Sequence, residues 1–392
     1  MDQLVVLKLG GGSWQQGFPT VTVQLWEPNG RVPMQLTGQL PPNPRLETLH
    51  EHWRSLYTAL AQRLQIRQYR GSGDDHSSAT ASGIEIEAAG VTNVSRAAFH
   101  DLCRQLRQEL NRWLESGSFA RVERRLRTHL LPTQPIRLII ETDQPPLRQF
   151  PWHLWGFFDD YPQAEVALST PDYQALGPVQ GRSHPLRILA VLGNGEGIDL
   201  QQDRALLEHL PGAETVLLVE PQRDELDRWL WDGRGWDILC FAGHSLSQAD
   251  RTGGAIAINP TDALTIDQLK NALRAAIARG LQLAIFNSCD GLGLAWAIAE
   301  LNIPQVIVMR EPVPDPVAQA FLKHLLTAFS GGQSLYQAVR EAREKLQGLE
   351  DQFPCASWLP VICQNPATPL LTWPPPPPPP PPPPHPPPPP HP

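Results

Sequence analysis

From Leu186 to Cys363 the chain alternates short, continuously apolar runs with stretches of helical spacing, and this alternation constrains its fold more than any other feature. RILAVLG (187–193), ETVLLVE (214–220), WDILCFAG (236–243), LQLAIFNS (281–288) and QVIVMR (305–310) read as strands. Helical segments fall at 199–210, 222–231, 266–280 and 292–302, then at about 315–329 and 333–348, and WLPVIC (358–363) closes the series. Strands that are apolar along their whole length are buried on both faces. With helical segments of roughly 10–15 residues between them, they predict an α/β fold built on a mainly parallel sheet flanked by helices. Sheets of this kind carry their sites at the carboxyl ends of the strands.

Upstream, the pattern is mixed. A strand at 2–9 meets the turn Gly10-Gly11-Gly12, and alternation in VTVQLW marks a second strand at 20–26. Leu46, Leu49, Trp53, Leu56 and Leu60 recur at helical spacing, as do Phe99, Leu102, Leu106, Leu110 and Trp113, and a further helix is expected near 118–130. RLIIET (137–142) and AEVALS (164–169) are strand candidates, with LRQFPWHLW (147–155) turning between them through Pro151. The small, polar, breaker-rich stretch 71–90 is expected to be a flexible loop, and 173–184 a linker. The expected division is therefore an N-terminal α/β accessory region over 1–145, a Pro-Trp segment and linker over 146–182, a second domain over 183–366, and a Pro-rich disordered tail over 367–392. From Pro374 onward the tail is 17 prolines and two histidines, which cannot pack a core and favour polyproline II. It is expected to be a stiff spacer or a ligand for a polyproline-binding partner.

Composition narrows the function classes. The 392 residues carry a net charge of −8 with no basic stripe, which argues against a nucleic-acid partner. No apolar run is long enough for a membrane span, and the start MDQLVVLKLGGG lacks the basic region and apolar core of a secretory signal. Five cysteines, an odd number with no CxxC pair, argue against a zinc site or a disulfide framework and suit a reducing cytoplasm. No cofactor or metal is expected.

Two loops carry the residues with chemistry. Phe241-Ala242-Gly243-His244-Ser245 follows the third strand of the alternating half, and Asn287-Ser288-Cys289-Asp290-Gly291 follows the fourth. In a parallel sheet with these strands adjacent, both loops leave the same edge, which brings an imidazole and a thiol within reach of one another. Cys289 precedes a helix expected to begin near Leu292, whose dipole favours a thiolate, and a protonated His244 would favour it further. Gly243 permits a tight bend beside the histidine, and the backbone amides of Ser245 and Cys289 are candidates to hold an oxyanion. The plainer readings are a buried, inert cysteine and a solvated turn histidine. Cys103, Cys240, Cys355 and Cys363 read as structural.

The segments GWDILCFAGHS, LTIDQLKNAL, LQLAIFNSCDGLGLAWAIAELNIPQVIVMREPVPD and WLPVI, taken in that order, resemble the CHAT family of caspase-like cysteine peptidases. FPWHLW (150–155) is similar to the segment that precedes the protease half in that family, and the likeness covers roughly 147–366. Members are common in cyanobacteria and are often joined to TPR or other signalling modules. The resemblance implies a caspase-hemoglobinase-like fold, a catalytic pair at His244 and Cys289, and a protein substrate cleaved without a cofactor. It also implies control by a regulatory protein, and the polar segment 245–254 beside His244 is, from its composition and place, the expected mobile element. Family members often carry Gly directly after the histidine, where this chain has Ser245. Relatives that cleave after Arg or Lys commonly have Asp two residues before the cysteine, where this chain has Asn287. Acids for such a pocket would then come from Asp290, Glu311 or Asp315, each equally readable as a helix cap or a solvated acid.

Two competing readings remain. The same cleft could bind peptides without cleaving them, as a silent interaction module. The loop Gly193-Asn194-Gly195-Glu196-Gly197, between a strand and a helix, suggests a flavodoxin-like nucleotide site. Its spacing is not G-x-G-x-x-G, it lacks a lysine, and Glu196 and Asp199 would repel a phosphate.

Overall fold

The computed structural model describes residues 2–26, 32–71, 86–88, 91–94, 96–174, 185–195, 199–247, 254–288, 293, 297, 301 and 303–374. In chain order, β1 (Gln3–Leu9), β2 (Phe18–Trp26) and β3 (Met34–Leu40) precede α1 (Pro44–Gly71), the short pair β4 (Ile86–Ala88) and β5 (Val91–Val94), α2 (Arg96–Leu114) and α3 (Phe119–His129). β6 (Ile136–Glu141), α4 (Pro145–Arg148), α5 (Phe157–Asp160) and β7 (Ala164–Ser169) follow. The alternating half contributes β8 (Leu186–Leu192), α6 (Gln201–Glu208), β9 (Ala213–Val219), α7 (Arg223–Leu230) and β10 (Ile238–Ala242). After these come β11 (Ser245–Ser247), β12 (Gly254–Ala257), β13 (Ala263–Thr265), α8 (Ile266–Ala278), β14 (Leu283–Asn287) and β15 (Gln305–Met309). The series ends with α9 (Asp315–Ser330), α10 (Leu335–Lys345) and β16 (Pro360–Gln364).

Among the described residues, eleven strands form one sheet in the order β3-β2-β1-β6-β7-β16-β15-β14-β10-β8-β9. The strands β15, β14, β10, β8 and β9 are mutually parallel, as the alternating pattern predicts. β1, β6, β7 and β16 form a second parallel block, and the two blocks meet where β16 pairs antiparallel to β15. Every residue of β8, β10, β14, β15 and β16 is buried, which is why these strands read as unbroken apolar runs. The expected domain boundary near 183 falls in a stretch outside the described residues, and the sheet itself runs through both halves.

The Pro-Trp segment is a core element. Phe150, Trp152, Leu154 and Trp155 are buried, and the buried Arg310, directly after β15, donates to the carbonyls of Phe150 (2.5 Å) and Trp358 (3.2 Å). β3 was not foreseen: it is an edge strand carrying Gly38, with burial on alternate residues only. Nor was the separate three-stranded sheet β11-β12-β13, which begins directly after His244. Within the expected mobile segment 245–254, Ser245–Ser247 pair antiparallel with Gly254–Ile256, and 248–253 lie outside the described residues. Most of the loop 71–90, the linker from 175 to 184 and the tail beyond Pro374 also lie outside them.

Candidate active site

β10 and β14 are parallel neighbours, and their register sets Ala242 opposite Asn287. His244 follows Ala242 by two residues in sequence, as Cys289 follows Asn287. The two strands therefore release their loops from level positions on one sheet edge. Cys289 and Asp290 themselves lie outside the described residues. Of the expected helix 292–302, Gly293 and Ala297 are described as helical.

The backbone around the histidine is tightly held. His244 N–H donates to Asn194 O (3.3 Å), and His244 O accepts from Ala257 N–H (3.0 Å). Gly243 has φ +147, and a Cβ there would stand 3.2 Å from Gly193 Cα and 3.3 Å from Asn194 O. Glycine is needed at this bend on both counts, as the sequence suggested. Ser245 opens β11. The half-exposed His244 thus has its backbone held at the junction of three segments, the ends of β8 and β10 and the strand β12.

The same contacts bear on the nucleotide reading. Gly193 N–H donates to Ala242 O (2.8 Å) and Asn194 N–H to Ala257 O (2.9 Å), so these amides brace the histidine turn instead of facing a phosphate. Residues 196–198 of that loop lie outside the described residues.

Among the candidate pocket residues, Asn287 is buried and its Nδ2 donates to Ala318 O on α9 (3.2 Å), while its Oδ1 has no partner among the described residues. Ser288 is buried, and its Oγ has no partner among the described residues. Asp315 begins α9, and burial raises its carboxyl above the usual range, with the nearby His244 pulling it partly back. Glu311 is buried against Arg54 Nε of α1 (2.5 Å), so its charge is already matched. Burial pushes the thiol of Cys363 up to about 12 and those of Cys240 and Cys355 well up. Cys240 and Cys363 suit apolar packing and not nucleophilic attack.

One acid escaped the sequence reading. Asp203 on α6 is 3% exposed, and burial, with Asp199 and Asp315 nearby, raises it to about 7. Its signal was available: Asp203 stands between Leu200 and Leu207 on the helix stripe that faces the core. A carboxylate on an apolar stripe costs stability unless it is paired or hydrogen-bonded there.

Comparison with the curated proteins returned no match. Among solved structures, the Arg-specific cysteine proteinase gingipain R (RgpB) aligns at 8% identity with a TM-score of 0.42. That alignment covers 60% of this chain and 64% of the proteinase, less than two thirds of its length. A family model described as the CHAT domain matches residues 96–366, well over half of the chain. The sequence likeness and the family match agree, and the chain belongs to the CHAT domain family.

Proposed function

We propose that this chain is a caspase-like cysteine endopeptidase in which His244 and Cys289 form the catalytic pair. The observation that carries the reading is the register of Ala242 with Asn287 in a member of this family. It starts the histidine loop and the cysteine loop level with each other at the carboxyl edge of a parallel sheet. In the proposed reaction the Cys289 thiolate attacks the carbonyl carbon of the scissile peptide bond. Negative charge gathers on the carbonyl oxygen, where the backbone amides of Ser245 and Cys289 stabilise it. The imidazolium of His244 gives its proton to the departing amine as the C–N bond breaks. The resulting thioester is hydrolysed by a water whose proton returns to His244, releasing the acid and restoring the thiol.

The family setting supports a protein substrate and control by a partner that orders the loops after β10 and β14. Unchanged hydrogen-exchange protection of Ser245–Ser247 in the presence and absence of an activating partner would remove that element of the proposal. The catalytic reading is tested with a thiol-reactive peptide probe and a cleavage-profiled peptide library. Labelling at Cys289 that drops by at least about 1000-fold in His244→Ala, with cleavage lost in Cys289→Ala, is the expected result. Peptide binding without labelling or cleavage would instead identify a silent interaction module.

A further inference from the structure

We infer that the chain holds an acidic pocket for a cationic side chain of its substrate, formed by Asp203, Asp315 and Asn287 beside His244; this rests on the peptidase reading above. The three residues come from different elements but share one face of the sheet. Asn287 reaches α9 through its bond to Ala318 O, one turn along the helix from Asp315. Cys240 pairs with Ile285 in the β10–β14 register, so Cys240 shares a sheet face with Asn287 two residues further on. Asp203 is buried on α6, which packs against α9, the helix that Asn287 bonds from that face. α6 and α9 pack together, and Gln319 Nε2 on α9 donates to Asp199 O at the start of α6 (2.6 Å).

Two independent features call for a donor-rich cation. The Asp203 side chain is nearly completely buried and makes no hydrogen bond or ion pair among the described residues, and the charged groups near it there are the carboxylates of Asp199 and Asp315. Arg204, its neighbour in sequence, is turned to Glu208 at 2.8 Å. Separately, Asn287 is 5% exposed and its Oδ1 accepts nothing among the described residues. Among the described residues the pocket thus gathers acceptor oxygens, and the one amide donor of Asn287 is already spent on Ala318 O. Repulsion between buried carboxylates is relieved by a proton or by a guest cation. An ammonium or guanidinium supplies both the charge and the N–H donors that these oxygens lack. Placed next to His244, the pocket would select Lys or Arg on the acyl side of the scissile bond. It does so without the acid two residues before the cysteine, where this chain has Asn287.

The test uses the full chain and acyloxymethyl ketone peptides that differ only in the residue bearing the reactive group: arginine, lysine or norleucine. Cys289 is expected to be labelled faster with the two basic residues by on the order of 100-fold, an advantage that shrinks to a few-fold in Asp203→Asn and falls in Asp315→Asn. Thermal melts of both variants, expected to be no lower than wild type, separate this effect from misfolding. Norleucine labelling as fast as lysine in the wild type would overturn the pocket and leave the peptidase reading standing. If no probe labels Cys289, the peptidase reading fails and the pocket is decided by calorimetric titration with agmatine. Binding that releases protons and is lost in Asp203→Asn upholds the pocket; no binding to the wild type overturns it.

Discussion

Arg54 of α1 and Glu311, two residues past the end of β15, form an ion pair at 2.5 Å in which the carboxylate is almost wholly shielded from water. The pair ties the N-terminal helix to the loop that leads into α9. Replacing Arg54 with Met would strip a buried carboxylate of this cation. The expected cost is about 3 kcal/mol, read as a lower urea midpoint with an unchanged slope.

Asp203→Asn should change stability in a pH-dependent way. In the folded chain Asp203 titrates at about 7, against an ordinary value of 3.8. Between those values the folded state holds a proton that the unfolded state has released. Asp203 therefore makes stability fall as pH rises through this window, by up to roughly 4 kcal/mol. The Asn variant should be more stable above pH 7, converging with the wild type near pH 4. Denaturant midpoints at several pH values would check this, and a variant less stable at pH 8 would contradict it.

The sulfurs of Cys103 on α2 and Cys355 lie 3.4 Å apart, bringing together positions 252 residues distant in sequence. Glutathione disulfide is expected to oxidise them: the Cys103 thiolate forms a mixed disulfide, Cys355 displaces it, and two molecules of reduced glutathione leave. Peptide mapping should recover a Cys103–Cys355 link that is absent in Cys103→Ser. Closing so long a loop should raise stability by up to about 5 kcal/mol.

Gly193→Ala should loosen the histidine turn. A Cβ at Gly193 would fall 2.2 Å from Ala257 O and 2.8 Å from the Phe241 ring, so backbone must move. The expected loss is about 2 kcal/mol of stability. Probe labelling at Cys289 should slow more than the melting shift alone accounts for, because Gly193 N–H holds Ala242 O and Asn194 O holds the His244 N–H.

Much of this molecule is legible in the chain. The apolar runs that became β8, β10, β14 and β15 announce themselves because both faces are covered, and the loops after β10 and β14 stand out because each follows such a run. Asp203 was open to detection on the core stripe of α6 but passed as an ordinary helix acid, since its meaning depends on Asp315, more than a hundred residues away. β3 was hidden because an edge strand buries only alternate residues and tolerates Gly38. The strands beside His244 are too short for periodicity to register.

By itself, the order of side chains determined which segments could be buried, and that a histidine and a cysteine each follow a buried strand. Direction and neighbourhood were decided only by tertiary structure: that β16 runs antiparallel to β15, that the N-terminal strands extend the same sheet, and that Ala242 stands opposite Asn287. The reason is physical. Burial is a property of each residue against water and is written locally, whereas strand pairing and the meeting of charges depend on partners that the chain brings together only when it closes.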